Sequence, residues 1–194
     1  MTNDEIKKDL KNKLKPSRYE HSIGVAYTAA CLAMRYGYDV NKAYRAGLLH
    51  DCTKYMDGRE SLEFCENNNI SVTDIERSMP QALLHSKTGA FMAKAYYKEE
   101  DSEVLDSILT HTTGDVNMTL LQKIIFIADF IEPNRKSLPM MDSIREIAFT
   151  DIDRCVLAVY ESVISYLHEN PKNGEIDPKS VNAYEYYKKL CDKK

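Results

Sequence analysis

Ala46-Gly47-Leu48-Leu49-His50-Asp51-Cys52-Thr53-Lys54 ends an apolar helical run on a histidine beside an aspartate. Asp39 can cap the helix that leads into it through Ala43, Leu48 and Leu49, and a looser stretch from Thr53 to Arg59 precedes a short helix to about Glu66. Upstream, Ser17-Arg18-Tyr19-Glu20 fits a capping box and opens a helix to about Arg35, which Gly37 ends. Ahead of that, Thr2-Asn3-Asp4-Glu5 fits another box, and Pro16 closes the first helix. Downstream, Pro80 precedes a helix from Gln81 to about Lys98, and Ser102 to Thr112 makes a shorter one. Thr119-Leu120-Leu121-Gln122 is a third box, opening a helix through Asp129 that Pro133 stops. One long amphipathic pattern spans Asp142 to about His168, and Asp177-Pro178 starts a last helix. Loops fall at Asn67 to Asn69, Asn134 to Pro139 and Asn170 to Asp177. No alternating strand, repeat or low-complexity segment interrupts this order. The expected fold is all-α.

Composition agrees. The 194 residues suit a single domain over 1–194, with a core at about 17–135 and C-terminal helices at about 140–192. Only 7 Gly and 6 Pro are present, so helix breakers are few. A formal charge of −4 gives no global basic footprint for nucleic acid, though a local basic patch for phosphate is compatible with it. The start, MTNDEIKKDL, lacks the apolar core of a signal peptide. The best apolar run, Ile124 to Ile131, is too short to span a bilayer and contains Asp129, so no membrane partner is expected. Cys31, Cys52, Cys65, Cys155 and Cys191 are an odd set without a CxxC pair, which reads as reduced thiols in a cytoplasmic protein.

Chemistry concentrates in the histidines. His21, His50, His85 and His111 each fall in a helix or near its end. Taken singly, such a histidine is usually an ordinary hydrogen-bonded residue. Asp129 stands in Ile124-Ile125-Phe126-Ile127-Ala128-Asp129-Phe130-Ile131, where a carboxylate needs a cation or several donors to offset desolvation; a buried ion pair would also serve. The combination carries more weight than any member. Imidazole nitrogens with carboxylate oxygens suit iron, manganese, cobalt, nickel or zinc. No Ser/His/Asp grouping offers a protein nucleophile.

The pattern H…HD…H…H…D, carried by His21, His50-Asp51, His85, His111 and Asp129, resembles the HD-domain superfamily of metal-dependent phosphohydrolases. The flanking segments are similar to the YqeK family: Ser17 to Ser22, Ala46 to Lys54, Leu84-His85-Ser86, Thr110 to Gly114 and Ile127 to Pro133. The resemblance covers about residues 10 to 190. It implies a helical bundle with the metal site in its core, and symmetrical hydrolysis of diadenosine tetraphosphate to two ADP. It also implies a dinuclear centre, di-iron first: His21, His50, Asp51 and Asp129 on one ion, and His85, His111 and a bridging Asp51 on the other.

A polyphosphate substrate needs cationic clamps. Arg18 lies three residues before His21 on one helix face, Lys54 follows His50-Asp51 by a turn, and Arg135 lies just beyond the Asp129 helix. These are the candidate phosphate-binding residues, with Arg18, Lys54 and Asp51 as catalytic candidates; solvated surface charge is the alternative for the cations. Lys87, close to His85, is a weaker candidate. Thr112, Thr113 and Gly114 offer hydroxyls and close backbone approach to substrate, or simply a helix C-terminal turn. Glu132 stands either behind the ligands or at the surface. His168 reads as surface, Tyr184 to Tyr187 as packing, and Met140 and Met141 as core contacts or a nucleoside rest. Other functions stay open: an HD-type nucleotidase or nucleoside triphosphate hydrolase, or a non-catalytic nucleotide-sensing module. An isologous homodimer through the C-terminal helices is a further expectation.

Overall fold

The computed structural model describes residues 1–135, 140–170 and 175–193. Among them are eleven helices and no strand. They are α1 (Asn3–Lys13), α2 (Pro16–Tyr36), α3 (Val40–Leu49), α4 (Gly58–Asn67), α5 (Asp74–Ser78), α6 (Pro80–Ala95), α7 (Ser102–Thr110), α8 (Leu120–Ile131), α9 (Met141–Ala148), α10 (Ile152–Glu169) and α11 (Pro178–Cys191).

Most starts are set by side chains that satisfy the first free N–H groups of a helix. Thr2 and Thr119 form the expected capping boxes with Glu5 and Gln122, and Asp39 and Asp177 cap α3 and α11. Two further boxes, Asp57 with Glu60 and Thr73 with Glu76, open α4 and α5; α5 has no counterpart in the sequence reading.

Several boundaries differ from expectation, α7 ending at Thr110 and not Thr112 among them. Ser17 is not the cap of α2: the helix starts at Pro16, whose fixed φ and missing N–H suit the first turn. Pro16 therefore opens α2, while α1 ends earlier, at Lys13. The pattern from Asp142 to His168 is two helices, because Asp151 takes an extended conformation and accepts from the N–H groups of Asp153 and Arg154. Such a local bond competes with helix continuation. The Gln81 helix ends at Ala95, before Lys98, whose φ is +59°. Lys136 to Pro139, and residues 171–174 of the later expected loop, lie outside the described residues.

Helices α2, α3, α6, α7 and α8 pack around a common centre, with α10 against α8, α9 and α11. Leu48, Leu49, Ile124, Ile125 and Ile127 are fully buried there. Gly47 makes the α2–α3 contact close: a Cβ on it would sit 2.7 Å from Ala26 Cα. That crossing sets His50, one turn on, beside His21. Tyr187 is buried and Tyr184 and Tyr186 pack on the core, as expected of packing residues; Met141 is also core, Met140 is exposed, and so is His168.

Candidate metal centre

Five helices deliver the site. His21 projects from α2, His50 is the C-cap of α3 with Asp51 next to it, His85 lies in α6, His111 is the C-cap of α7, and Asp129 lies in α8. The four histidines and Asp51 are all buried.

Asp51 is at the centre, and its two oxygens divide the neighbours. Oδ2 lies 3.9 Å from His21 Nε2 and 3.6 Å from His50 Nε2; Oδ1 lies 3.5 Å from His85 Nε2 and 3.6 Å from His111 Nε2. Asp129 Oδ1 joins the first set, 3.0 Å from His21 Nε2 and 3.8 Å from His50 Nε2. His21, His50 and Asp51 form one compact group of donor atoms, and Asp51, His85 and His111 form another.

Three of the imidazoles are anchored through Nδ1, which turns Nε2 toward Asp51. His21 Nδ1 donates to Glu132 Oε1 (3.0 Å), His50 Nδ1 to Gly47 O (2.7 Å) and His111 Nδ1 to Ile108 O (2.7 Å). Each partner can only accept, so the proton sits on Nδ1 and the Nε2 lone pair faces inward. Among the described residues His21 Nε2 and His50 Nε2 are buried without a hydrogen-bond partner, although Asp129 Oδ1 stands 3.0 Å from the first as a charged neighbour. Buried unsatisfied groups of this kind cost about 1–3 kcal/mol each. A cation between these lone pairs and the carboxylates removes that cost, so the residues fit a divalent metal site. His85 differs: Lys54 Nζ lies 2.8 Å from its Nδ1, and Thr112 Oγ1 lies 2.9 Å from its Nε2.

Electrostatics follow from burial and crowding. Burial alone would raise Asp51's pKa, but His50, His111, His85 and Lys54 more than reverse it and hold it well below the usual value. Asp129 is lowered in the same way, with burial opposed chiefly by Arg135 and His21. Burial pushes His50 down to about 4 and lowers Lys54.

Asp51 and Asp129 lie on the wall of a cavity of about 370 Å³, which Arg18, Lys54 and Arg135 also line. Arg18 Nη1 pairs with Asp51 Oδ2 (2.7 Å) and Arg135 Nη1 with Asp129 Oδ1 (2.8 Å). Thr112 and Thr113 line it too, but the Thr113 carbonyl accepts from Tyr160 and Ser180. Gly114 is not on the wall; it has φ +65°, and a Cβ there would overlap the Tyr160 hydroxyl, which accounts for glycine. Lys87 is drawn away, donating to Glu76 (2.6 Å) and Ser71 O (2.8 Å).

Two features escaped the sequence reading. Much of the remaining lining is apolar, from Leu83, Val159, Val163, Ile164, Leu167 and Ile176, with Glu175 and Asp177 beside them. The α10 members repeat at helical spacing and are indistinguishable from core in sequence. Glu132, left open between two environments, is buried against His21.

Fold and site together define an all-α protein with a buried His/Asp site for divalent metal. The chain belongs to the HD domain family, whose model matches residues 18–134. It is 38% identical to "Bis(5'-nucleosyl)-tetraphosphatase, symmetrical" of Halalkalibacterium halodurans, over 90% of this chain and 91% of that one. It is 32% identical to the Bacillus subtilis protein of the same name, over 96% and 97%. A crystal structure from Clostridium acetobutylicum, described as a predicted HD superfamily hydrolase involved in NAD metabolism, superposes with a TM-score of 0.91 at 36% identity, covering 98% of each chain. Among the described residues no helix is long and apolar enough to cross a membrane.

Proposed function

We propose that this chain is a metal-dependent hydrolase that splits diadenosine tetraphosphate at its centre into two ADP. One observation carries the reading: the two oxygens of Asp51 face two separate sets of ligand atoms on the wall of a cavity that Arg18, Lys54 and Arg135 also line. The names of the Halalkalibacterium and Bacillus relatives support the substrate.

In this reading His21, His50, Asp51 and Asp129 hold one ion, and Asp51, His85 and His111 the other, with iron first by family resemblance and manganese, cobalt, nickel or zinc as the other fits. Such a pair of ions supplies Lewis acidity toward phosphoryl oxygens and a water acidic enough to attack near neutral pH. The protein's own part is placement and charge. Arg18, Lys54 and Arg135 gather the polyphosphate at the cavity mouth. Asp51 engages Nη1 of Arg18, and a guanidinium has five N–H donors in all, so donors remain for phosphate oxygens. Thr112 can add a hydroxyl. The apolar wall suits a nucleoside base. A volume of about 370 Å³ is near the low end for ligand sites, roughly 300–1,000 Å³, so it fits one nucleoside diphosphate half with the other outside. That division matches cleavage at the centre of the chain. The reading takes 1–194 as one domain in a cytoplasmic protein.

The test is a substrate panel on metal-loaded protein, resolved by anion-exchange chromatography. ADP as the sole product from diadenosine tetraphosphate supports the proposal. ATP plus AMP means asymmetric cleavage. Preferential release of phosphate from mononucleotides replaces it with the nucleotidase or triphosphate hydrolase reading.

A further inference from the structure

We infer that Glu132 is a positioning residue for the metal centre, holding the His21 ring so that Nε2 faces Asp51 and Asp129, and that Gly24 is the gap on α2 that lets its carboxylate reach. The inference rests on His21 being a ligand.

Glu132 is the C-cap of α8 and is only 1% exposed. A carboxylate so deeply buried needs a donor for each oxygen. It has them: Oε1 accepts from His21 Nδ1 (3.0 Å) and Oε2 from the Asn134 backbone N–H (2.7 Å). Its backbone is fixed as well, because Arg145 of α9 donates to Glu132 O (3.3 Å) and Ile131 O (3.1 Å). The carboxylate is thus a rigid acceptor aimed at one nitrogen of one ligand. Since it can only accept, it holds a proton on His21 Nδ1 and makes Nε2 the nitrogen that is turned toward Asp51 and Asp129.

Gly24 lies three residues after His21, on the same helix face. A Cβ at this position would overlap Glu132 Oε2 and lie 3.1 Å from its Cδ and 3.4 Å from Asn134 Nδ2. The carboxylate ends a flexible side chain, but both oxygens are engaged, so moving aside breaks one of its hydrogen bonds. Alanine is otherwise the better helix former by about 1 kcal/mol. A loss at Gly24→Ala therefore comes through Glu132 and not through α2.

Two variants approach the contact from opposite sides. Glu132→Gln keeps the shape but has one accepting oxygen for two N–H donors. Gly24→Ala keeps every polar group and adds only bulk. Zn²⁺ affinity, by competition with a chromophoric chelator, should fall roughly 10- to 100-fold in each. In ¹⁵N-histidine-labelled protein saturated with Zn²⁺, the His21 Nδ1–H resonance should lose the downfield shift that a carboxylate acceptor gives it, while other histidines stay as in the parent. Parent affinity with the parent His21 signature in both variants would overturn the inference and leave Glu132 as a buried acceptor for Asn134. His21→Ala is the control: parent affinity there overturns the ligand assignment beneath it, separately from the role of Glu132. If Glu132→Gln fails to fold, Gly24→Ala decides alone.

Discussion

Asp51→Asn removes one charge from the point where both ligand sets meet and changes the shape of the side chain very little. The carboxylate oxygens lie 3.5–3.9 Å from four imidazole nitrogens, two on each side. The amide can offer its oxygen to only one side and must turn an NH₂ donor toward the other. The His21 side keeps an anionic partner in Asp129; the His85 and His111 side keeps two imidazoles and no anionic partner, with Lys54 beside His85. Breaking a buried, paired charge costs about 3–5 kcal/mol. At about 1.4 kcal/mol per tenfold, that is roughly two to three and a half orders of magnitude in affinity. Metal content should fall from about two ions per chain to one or fewer, with activity lost in proportion. Elemental analysis after desalting, with turnover on the same sample and a circular dichroism melt to confirm folding, measures it. A folded Asp51→Asn variant with two ions per chain and parent turnover would refute the shared-ligand reasoning.

His85→Ala and His111→Ala should each lower metal content from about two ions toward one while the first set keeps its own, on the two-metal reading; one ion in the parent and active variants would make the site mononuclear. Lys54→Ala should lose roughly ten- to a thousandfold in rate, because it removes charge aimed at the phosphates; its metal content is measured on the same sample, since Lys54 also lies 2.8 Å from His85 Nδ1. Arg18→Ala also removes a partner of Asp51, so Arg18→Lys should recover only part of its loss, an ammonium having no planar fork; parent rates in both alanine variants would make these ordinary surface charges. Away from the site, burial tends to raise the Glu76 pKa, but the bond from Lys87 and the Thr73 cap leave it below 4.5. Its contribution to stability is present above that pH and lost as pH falls through the folded value, so Glu76→Gln should cost more urea stability at pH 7 than at pH 3; equal costs at both would show no linkage.

The fold class was legible because the signals were local. Capping boxes at Thr2 and Thr119, the caps Asp39 and Asp177, and Pro178 each act within one turn, and the structure has helices where they stand. What failed was also local, but competitive. Ser17 was the expected opening of α2, yet the helix starts at Pro16, which was expected only to close α1 and whose rigid φ suits a first turn. Asp151 interrupts a continuous apolar stripe by bonding its own backbone neighbours, a choice that periodicity does not register. At the site, residue types drew attention to all six candidate ligands because a carboxylate in an apolar helix and a histidine–aspartate pair are chemically conspicuous. The division of Asp51 between two sets and the apolar wall from α10 depend on which helices meet. Glu132 and Gly24 depend on a contact between distant parts of the chain, which no local pattern encodes.

The most direct measurement of the central claim is hydrolysis of diadenosine tetraphosphate in H₂¹⁸O, with products resolved and weighed by mass spectrometry. Attack of one water at the centre of the chain yields only ADP, half of it carrying one ¹⁸O on its β-phosphate, and removal of metal by chelation stops the reaction. ATP and AMP as products, or unchanged turnover in metal-free protein, would contradict it.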